Sequence, residues 1–149
     1  MNYNLLLLFI ISTMLSGPVR AQGFSPYGNP LTTVTIQEIP VQAEVVSTPE
    51  KLYLGLSHRP ELPEGQGMLF VMGTARHHVF CMRDMRFPLD IIWIADGRVA
   101  GLHKGLSPGD QGNFRAPVPV TLVLEVPGGF ADRYGIEVGA PVTLSSPGF

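Results

Sequence analysis

Glycine and proline interrupt this sequence so densely that they limit the folds open to it. The chain of 149 residues contains 17 glycines and 14 prolines, and no fixed period separates them. Both residue types break helices and favour turns, whereas short strands fit between closely spaced turns. Because 45% of the residues are apolar and only 15% are charged, the chain is also expected to fold. The sequence therefore predicts a mainly β domain.

Runs with a period of two residues predict where the strands lie. Thr33 to Gln37 and Val41 to Val46 alternate in this way. Further strands are predicted at residues 68–72, 77–82, 89–95, 99–103, 118–126 and 141–144, with a turn at Gly73. A short helix is predicted after Thr48, which can cap it with Pro49 in the first helical position, and a helical turn at 129–134. We expect seven to nine short strands and one or two short helices, in a small, partly closed β-barrel or a sandwich, because both arrangements limit exposed strand edges.

The dipeptide Asp96-Gly97 is the strongest turn signal in the sequence. It separates the predicted strands 89–95 and 99–103. Asp-Gly is favoured in two-residue hairpin turns, where both central residues take a positive φ. The sequence predicts an antiparallel hairpin with Gly97 at positive φ.

Residues 1–21 are typical of an export signal. The apolar run from Leu5 to Leu15 is far shorter than the roughly 20 residues that span a bilayer as a helix. Val19 and Ala21 occupy the positions that signal peptidase reads, which predicts cleavage after Ala21. The stretch before the apolar run contains no lysine or arginine, so an uncleaved membrane anchor stays open as an alternative.

The predicted organisation is a signal peptide at 1–21, a linker at 22–30 and a single β-rich domain at 31–149. It places the mature protein in the periplasm or outside the cell, with no membrane span after cleavage. The net charge is −2 and no basic stripe is present, so nucleic acid is not an expected partner. The single cysteine, Cys81, lies in an apolar run and is predicted to be buried and unreactive.

Asp90 is the polar residue in an otherwise apolar predicted strand. Alternation along 89–94 places apolar side chains on both faces, which predicts a central strand and a buried carboxylate. A buried carboxylate needs a partner, and Arg83, Arg86 and the backbone N–H groups of the loop 83–88 are nearest in the sequence. Two roles stay open for Asp90: anchoring that loop, or forming part of a binding or catalytic site.

No metal site, cofactor or catalytic residue is predicted. His77 and His78 are adjacent on a predicted strand and point to opposite faces, so they cannot share an ion from there. His77 and Cys81 share a face but lie about 13 Å apart along a strand. The sequence also contains no Gly-x-Ser-x-Gly nucleophile motif. These patterns favour a protein without catalytic activity, with an enzyme as the alternative.

Short motifs follow one another in a recognisable order between Val45 and Leu144. They are Thr48-Pro49-Glu50, Gly55-Leu56 with Arg59, Leu62-Pro63, Gly67-Met68-Leu69-Phe70, Phe80 and Met82, Pro88-Leu89-Asp90-Ile91-Ile92, Asp96-Gly97, Leu124-Glu125-Val126 with Gly129, and Gly135-Ile136 with Gly139. In this order they resemble the bacterial and archaeal family called domain of unknown function 192. The resemblance implies a compact β-rich fold and frequent export, and it brings no established activity. Where that family usually has Phe-Trp-Met-Lys-Asn-Thr, this chain has Phe80-Cys81-Met82-Arg83-Asp84-Met85, so a pocket lined by these residues would differ here.

Two functions follow from these observations. The first is an exported, non-catalytic binding or accessory protein of the cell envelope, with a polar cleft for a small polar or anionic ligand. That cleft would be formed by Arg83, Asp84, Arg86, Asp90 and His103. The second is an envelope hydrolase in which Asp90 acts with Asp84 or His103 as an acid–base pair.

Overall fold

The computed structural model describes residues 23–145, and this range contains nine strands and two short helices. In chain order they are β1 (Leu31–Ile36), β2 (Ile39–Val46), α1 (Pro49–Leu54), β3 (Gln66–Arg76), β4 (Val79–Phe80), β5 (Leu89–Ala95), β6 (Arg98–Leu106), β7 (Phe114–Arg115), β8 (Val120–Pro127), α2 (Phe130–Arg133) and β9 (Val142–Ser145). The predicted mainly β fold, with its number of strands and helices, is confirmed. The predicted signal peptide, 1–21, lies outside the described residues.

Seven strands form one curled sheet in the order β6-β5-β8-β3-β2-β1-β9, and β4 pairs with β7 in a small second sheet. Neighbours in the large sheet are antiparallel except β2 and β3, which are parallel and are connected through α1. The two edge strands approach each other at one end. Arg98 of β6 bridges to Pro141, and the Val99 N–H donates to the Ala140 carbonyl at 2.9 Å. These contacts close the sheet in part and make it a half-barrel.

Strand β5 is central, as its sequence predicts, because it pairs with β6 on one side and β8 on the other. Ile91 and Trp93 contribute to one apolar cluster, whereas Ile92 and Ile94 contribute to another. Since successive side chains of a strand alternate, the two clusters lie on opposite faces of the sheet. We call the face that packs against Phe130 of α2 the α2 face. The opposite face, which includes Leu52 and Leu56 at helix α1, is called the α1 face.

Helix α1 begins as its sequence predicts. The Thr48 hydroxyl accepts the Lys51 N–H at 3.4 Å, and Pro49 occupies the first helical position. None of its six residues is buried, and the Tyr53 and Leu54 side chains are largely exposed. Leu52 is the residue of this helix that packs against the apolar cluster of the α1 face, so the helix adds little to the core, and two cavities open beside it.

Strand β3 continues through Gly73, so the predicted turn at this residue is wrong. Its register with β8 shifts between Val71 and Arg76, and Gly73 has a φ of +70°. A glycine with positive φ lets a strand bulge without ending it. The strand predicted at 77–82 is consequently reduced to the two residues of β4.

The predicted hairpin is confirmed. Asp96 and Gly97 join β5 to β6 with φ values of +51° and +66°, as a two-residue primed turn requires. A Cβ atom at position 97 would lie 3.6 Å from the Val142 carbonyl oxygen, an ordinary contact. The backbone conformation, rather than the space available for a side chain, therefore determines which residues are tolerated at position 97.

We expect Gly97→Val to lower the free energy of unfolding by about 1 kcal/mol or more, because a β-branched residue tolerates positive φ poorly. Gly97→Asn is the matched control, since asparagine adopts this conformation more readily. Urea denaturation of both variants measures the difference. Equal stability of the valine and asparagine variants would contradict the role of backbone strain.

Candidate functional site

A cavity of about 360 Å³ opens between the segment before β1 and helix α1, and we call it the Asn29 cavity. Its wall includes Tyr27, Asn29, Val46, Lys51, Leu54 and Arg59. The segment 23–30, which falls in the predicted linker, packs against the sheet here. Ser25 and Asn29 are buried, and Phe24 bridges to Pro30. The volume is that of a site for a small organic molecule.

A buried ion pair lies beside this cavity. Glu44 of β2 and Arg59, which follows α1, are both about nine-tenths buried, and the guanidinium donates to both carboxylate oxygens. Ser25 Oγ and Asn29 Nδ2 donate to the same carboxylate at 2.9 and 2.8 Å. Burial by itself raises the pKa of Glu44, but hydrogen bonds from Arg59, Asn29 and Ser25, together with the Arg59 charge, outweigh it and lower that pKa. Glu44 is therefore an ionised acceptor that joins three segments.

Arg59 is also held from its open side. The Tyr27 ring covers the guanidinium, with 3.6 Å between the guanidinium carbon and the ring centroid. A cation over an aromatic face is attracted by the ring quadrupole. Because Tyr27 is about half exposed, its ring belongs to the cavity wall rather than to the core.

Among residues 23–145, the Oδ1 atom of Asn29 is the only side-chain polar atom that is completely shielded from solvent and has no hydrogen-bond partner. The amide cannot be rotated to remove this defect, because Nδ2 donates to Glu44 and rotation would place Oδ1 against a carboxylate. A buried acceptor without a donor costs roughly 1–3 kcal/mol. Asn29 is also among the residues that line the cavity, so this unsatisfied acceptor belongs to the cavity wall.

The remaining wall of the Asn29 cavity is mostly apolar, with positive charge at its edge. Val46, Leu54 and Pro60 provide the apolar surface. Lys51 Nζ lies 3.4 Å from the Gly28 carbonyl and has no ion pair among the described residues. The arrangement fits a small molecule that combines a hydrogen-bond donor, an apolar body and an anionic group.

The five residues of the predicted cleft are not assembled into one site. Arg83, Asp84 and Arg86 are exposed on the loop that follows β4. The Asp84 carboxylate lies 3.7 Å from His58 Nε2 and 3.8 Å from Arg83 Nε. The Asp90 and His103 side chains lie on opposite faces of the sheet, and each forms hydrogen bonds with residues outside this loop.

Asp90 is fully buried and contacts the start of α2 and the end of β6. Its Oδ1 accepts the Gly105 and Gly129 N–H groups at 2.7 and 3.0 Å, and its Oδ2 accepts the Ala131 N–H at 2.8 Å. The predicted burial is confirmed, but the partners predicted for it, Arg83, Arg86 and the N–H groups of 83–88, are wrong. Asp90 anchors elements that are 15 to 41 residues away along the chain.

His103 lies on the opposite face from Asp90. Its Nδ1 accepts the Trp93 Nε1–H at 2.8 Å, and its ring packs edge-on against Trp93 and Phe114. Burial lowers the pKa of His103, so the ring is neutral at pH 7. Because Nδ1 already accepts a hydrogen bond, this nitrogen is not free to take a proton from a substrate.

Cys81 is exposed, and the prediction that it is buried is wrong. Strand β4 ends at Phe80, so Cys81 begins the following loop instead of lying within a covered strand. The apolar run around it packs through Phe80 and Met82, which belong to the cluster on the α1 face.

Sequence reasoning did not identify Glu44, Asn29 or Glu125 as residues of interest. Glu125 of β8 is buried between Met68 and Ile91 on the neighbouring strands, and burial raises its pKa to about 8. The available signal for both glutamates was an acidic residue within an apolar strand. Asn29 gave no such signal, because it lies in a segment whose composition is typical of a linker.

Across residues 23–145, no group of three or more His, Cys, Asp or Glu side chains is placed to hold a metal ion. No helix in this range is long and apolar enough to cross a membrane.

Comparisons with known proteins support the resemblance drawn from the short motifs. The family model DUF192, described as Uncharacterized ACR, matches residues 32–144. A protein of unknown function from Novosphingobium aromaticivorans has a similar structure, with a TM-score of 0.80 and 31% identity over 84% of this chain and 94% of that chain. A protein from Sinorhizobium meliloti, named as a proposed transcription regulator, has a TM-score of 0.70 and 26% identity over 76% of this chain and 91% of that chain. No curated protein matches this chain.

Proposed function

This chain belongs to the DUF192 family, and we propose that it is a small non-catalytic protein that binds an organic molecule in the Asn29 cavity. Neither the family description nor the names of the two solved structures specify a chemical reaction. The regulatory role in the name of the Sinorhizobium meliloti protein is not extended to this chain, because its net charge of −2 and lack of a basic stripe do not favour DNA.

The buried Oδ1 of Asn29 is the observation that carries the proposal. An acceptor in this position is destabilising in the free protein and becomes favourable when a ligand donates to it. The orientation of the Asn29 amide is fixed before a ligand binds, because its Nδ2 donates to Glu44 and Glu44 is itself held by Arg59. Such preorganisation reduces the entropy that binding costs.

The chemistry of the wall defines the ligand. Its hydrogen-bond donor meets Asn29 Oδ1, its apolar body packs against Val46 and Leu54, and its anionic group meets Lys51. A small carboxylic acid that also bears a hydroxyl or amino group has these three features. This ligand falls within the small polar or anionic class that the sequence predicts, whereas the site differs from the predicted cleft.

We place this binding protein in the cell envelope. The support is the sequence of residues 1–21, with its short apolar run and the cleavage position after Ala21. A hydrolase is not part of the proposal, because Asp90 and His103 lie on opposite faces and Asp84 lies on an exposed loop beside His58. No two of these groups converge on a position where a substrate could react.

A thermal-shift screen of residues 22–149 with small hydroxy acids, amino acids, alcohols and amines tests the proposal. A ligand that binds only the folded protein raises its melting temperature, and saturation at one hundred times the dissociation constant stabilises it by about 2.7 kcal/mol. We expect acids with a second donor group to give the largest shifts. A panel in which no compound shifts the melting temperature would contradict the proposal.

Matched variants locate the binding. Asn29→Ala removes the free acceptor and should abolish the shift, whereas Asp132→Asn, on the exposed side of α2 and outside the cavity lining, should retain it. Lys51→Met should weaken the binding of acids and leave the binding of neutral alcohols unchanged. Equal shifts in Asn29→Ala and wild type would place the ligand elsewhere.

A further inference from the structure

A second cavity, of about 210 Å³, lies on the other side of helix α1, and we call it the α1–β4 groove. Residues 52–57 form one wall and residues 79–81 form the other. Phe70 and Met72 of β3 line it between these walls. The groove therefore has a helix on one side, a strand on the other and apolar side chains between them.

The strand that forms one wall has an unpaired edge. The Ala116 N–H donates to the His78 carbonyl at 2.9 Å, which makes these residues a hydrogen-bonded pair. Since hydrogen-bonded and non-bonded pairs alternate in an antiparallel ladder, Phe80 is bonded to Phe114 and Val79 is not bonded to Arg115. The N–H and C=O groups of Val79 consequently point away from β7, and no strand among the described residues pairs with that edge.

The rim of the groove is exposed and apolar. The exposed fractions are 73% for Tyr53 and 50% for Val79, and both side chains line the groove. The Arg83 guanidinium lies 4.2 Å from the centroid of the Tyr53 ring and donates to the Tyr53 carbonyl at 3.2 Å. Exposed apolar side chains beside tyrosine and arginine are typical of surfaces that bind other proteins.

Positive charge exceeds negative charge on the loop beside the groove. Arg83 lines the groove, and Arg86 follows on the same loop and forms no ion pair within residues 23–145. The loop has one acidic residue, Asp84, and its carboxylate is shared between His58 and Arg83. An occupant with carboxylates next to its apolar side chains complements this charge.

We propose that the α1–β4 groove binds an extended, acidic segment of another protein, which adds as a strand to the free edge of β4. The segment exchanges backbone hydrogen bonds with Val79, places an apolar side chain against Phe70 and Phe80, and places a carboxylate against Arg83. Strand addition beside a helix obtains affinity from the main chain and specificity from the pockets for alternate side chains. A second copy of this chain is a poorer occupant, because a two-fold pairing at β4 would bring the same arginines from both copies together.

The test uses a fluorescein-labelled, end-blocked peptide of alternating glutamate and valine, five residues long. Its controls are the same peptide with lysine in place of glutamate, and the glutamate peptide with N-methylated valines. Fluorescence anisotropy with residues 22–149 should show binding of the acidic peptide. We expect the lysine peptide to bind at least about tenfold more weakly, because it lacks the carboxylates that pair with Arg83. The N-methylated peptide should not bind, because it lacks the backbone N–H donors.

Substitutions at two positions locate the peptide. Val79→Pro removes the N–H group on the free edge and keeps the ladder to β7, a position where an edge strand tolerates proline. We expect it to abolish binding, while Val79→Ala retains it. Arg83→Glu should reverse the preference between the acidic and the lysine peptide. A melting curve of each variant verifies that it is folded.

Cys81 provides an independent readout, since its exposed thiol lines the groove. Saturating acidic peptide should slow the labelling of this thiol by a maleimide. Asn29→Ala should leave peptide binding unchanged, which separates this proposal from that of the Asn29 cavity. Equal binding of the acidic and lysine peptides, binding that survives Val79→Pro, or no binding of any peptide would overturn the proposal. So would a concentration-dependent dimer that the acidic peptide dissociates.

Discussion

Asp90→Ala is expected to lower the free energy of unfolding by about 4 kcal/mol, since it removes the acceptor of three backbone N–H groups and leaves one of them, the buried Ala131 N–H, unpaired. These donors belong to Gly105, Gly129 and Ala131, so the loss affects both the end of β6 and the start of α2. Helix α2 contains only four residues and has no side-chain cap at its N-terminus. The carboxylate of Asp90 supplies the acceptors that a capping side chain would otherwise provide.

Asp90→Asn separates anchoring from function. The amide oxygen can replace Oδ1 and accept from Gly105 and Gly129, but the amide nitrogen then faces the Ala131 N–H, another donor. We expect a loss of roughly 1–3 kcal/mol in urea denaturation at pH 7. Asp132→Asn on the exposed side of α2 is the matched control, because its pair with Lys104 is solvated and contributes little.

An Asp90→Asn variant as stable as the wild type, or more stable, would contradict the anchoring role. Functional carboxylates are often strained, and removing them often stabilises the protein. That outcome would return the hydrolase hypothesis to consideration, with Asp90 as its first residue to test. The structure favours the opposite outcome, since each carboxylate oxygen has a backbone donor at 2.7–3.0 Å.

Glu125→Gln is expected to stabilise the protein at neutral pH by about 3 kcal/mol, because each unit of pKa shift corresponds to about 1.4 kcal/mol. The pKa of Glu125 rises from 4.5 to about 8 on burial, and its side chain has no hydrogen bond among the described residues. Between these two values the unfolded chain ionises and the folded protein does not. The free energy of unfolding therefore falls as the pH rises from 4.5 to about 8. Above that pH the contribution of Glu125 stays constant.

The glutamine variant should lose this dependence. Its free energy of unfolding should match that of the wild type near pH 4 and exceed it increasingly up to about pH 8. Urea denaturation at a series of pH values measures both curves. Parallel curves over this range would show that Glu125 ionises normally in the folded state.

Glu44 is the matched control for Glu125, because it is buried but ionised. Its lowered pKa means that its ionisation stabilises the folded state above about pH 4.5 and that this contribution is lost as the pH falls. Glu44→Gln should therefore destabilise the protein at pH 7, and it also leaves the Arg59 charge buried without a partner. The two glutamates thus differ in the sign of their effect: burial raises the pKa of Glu125, whereas at Glu44 the hydrogen bonds outweigh burial and lower the pKa. The difference lies in the three donors that surround Glu44.

The local features of this fold followed from the sequence. Period-two alternation predicted the strands, and apolar residues on both faces predicted that β5 is central. The hairpin at Asp96-Gly97 and the start of α1 at Thr48 followed from the conformations that these residues adopt alone or with near neighbours. Such properties depend on a few adjacent residues, so the sequence itself determines them.

The contacts that define the sites were decided by the tertiary structure. Asp90 could be recognised as buried, but its partners lie up to 41 residues away and were not the nearest donors in the sequence. Glu44 and Glu125 are both acidic residues in apolar strands, yet only the former meets Arg59 and Asn29. Cys81 is exposed because β4 stops one residue earlier, which depends on its pairing with β7. The sequence alone determined which residues form strands and turns, whereas the pairing of distant segments determined which polar groups find partners, because hydrogen bonds act only over the short distances that folding creates.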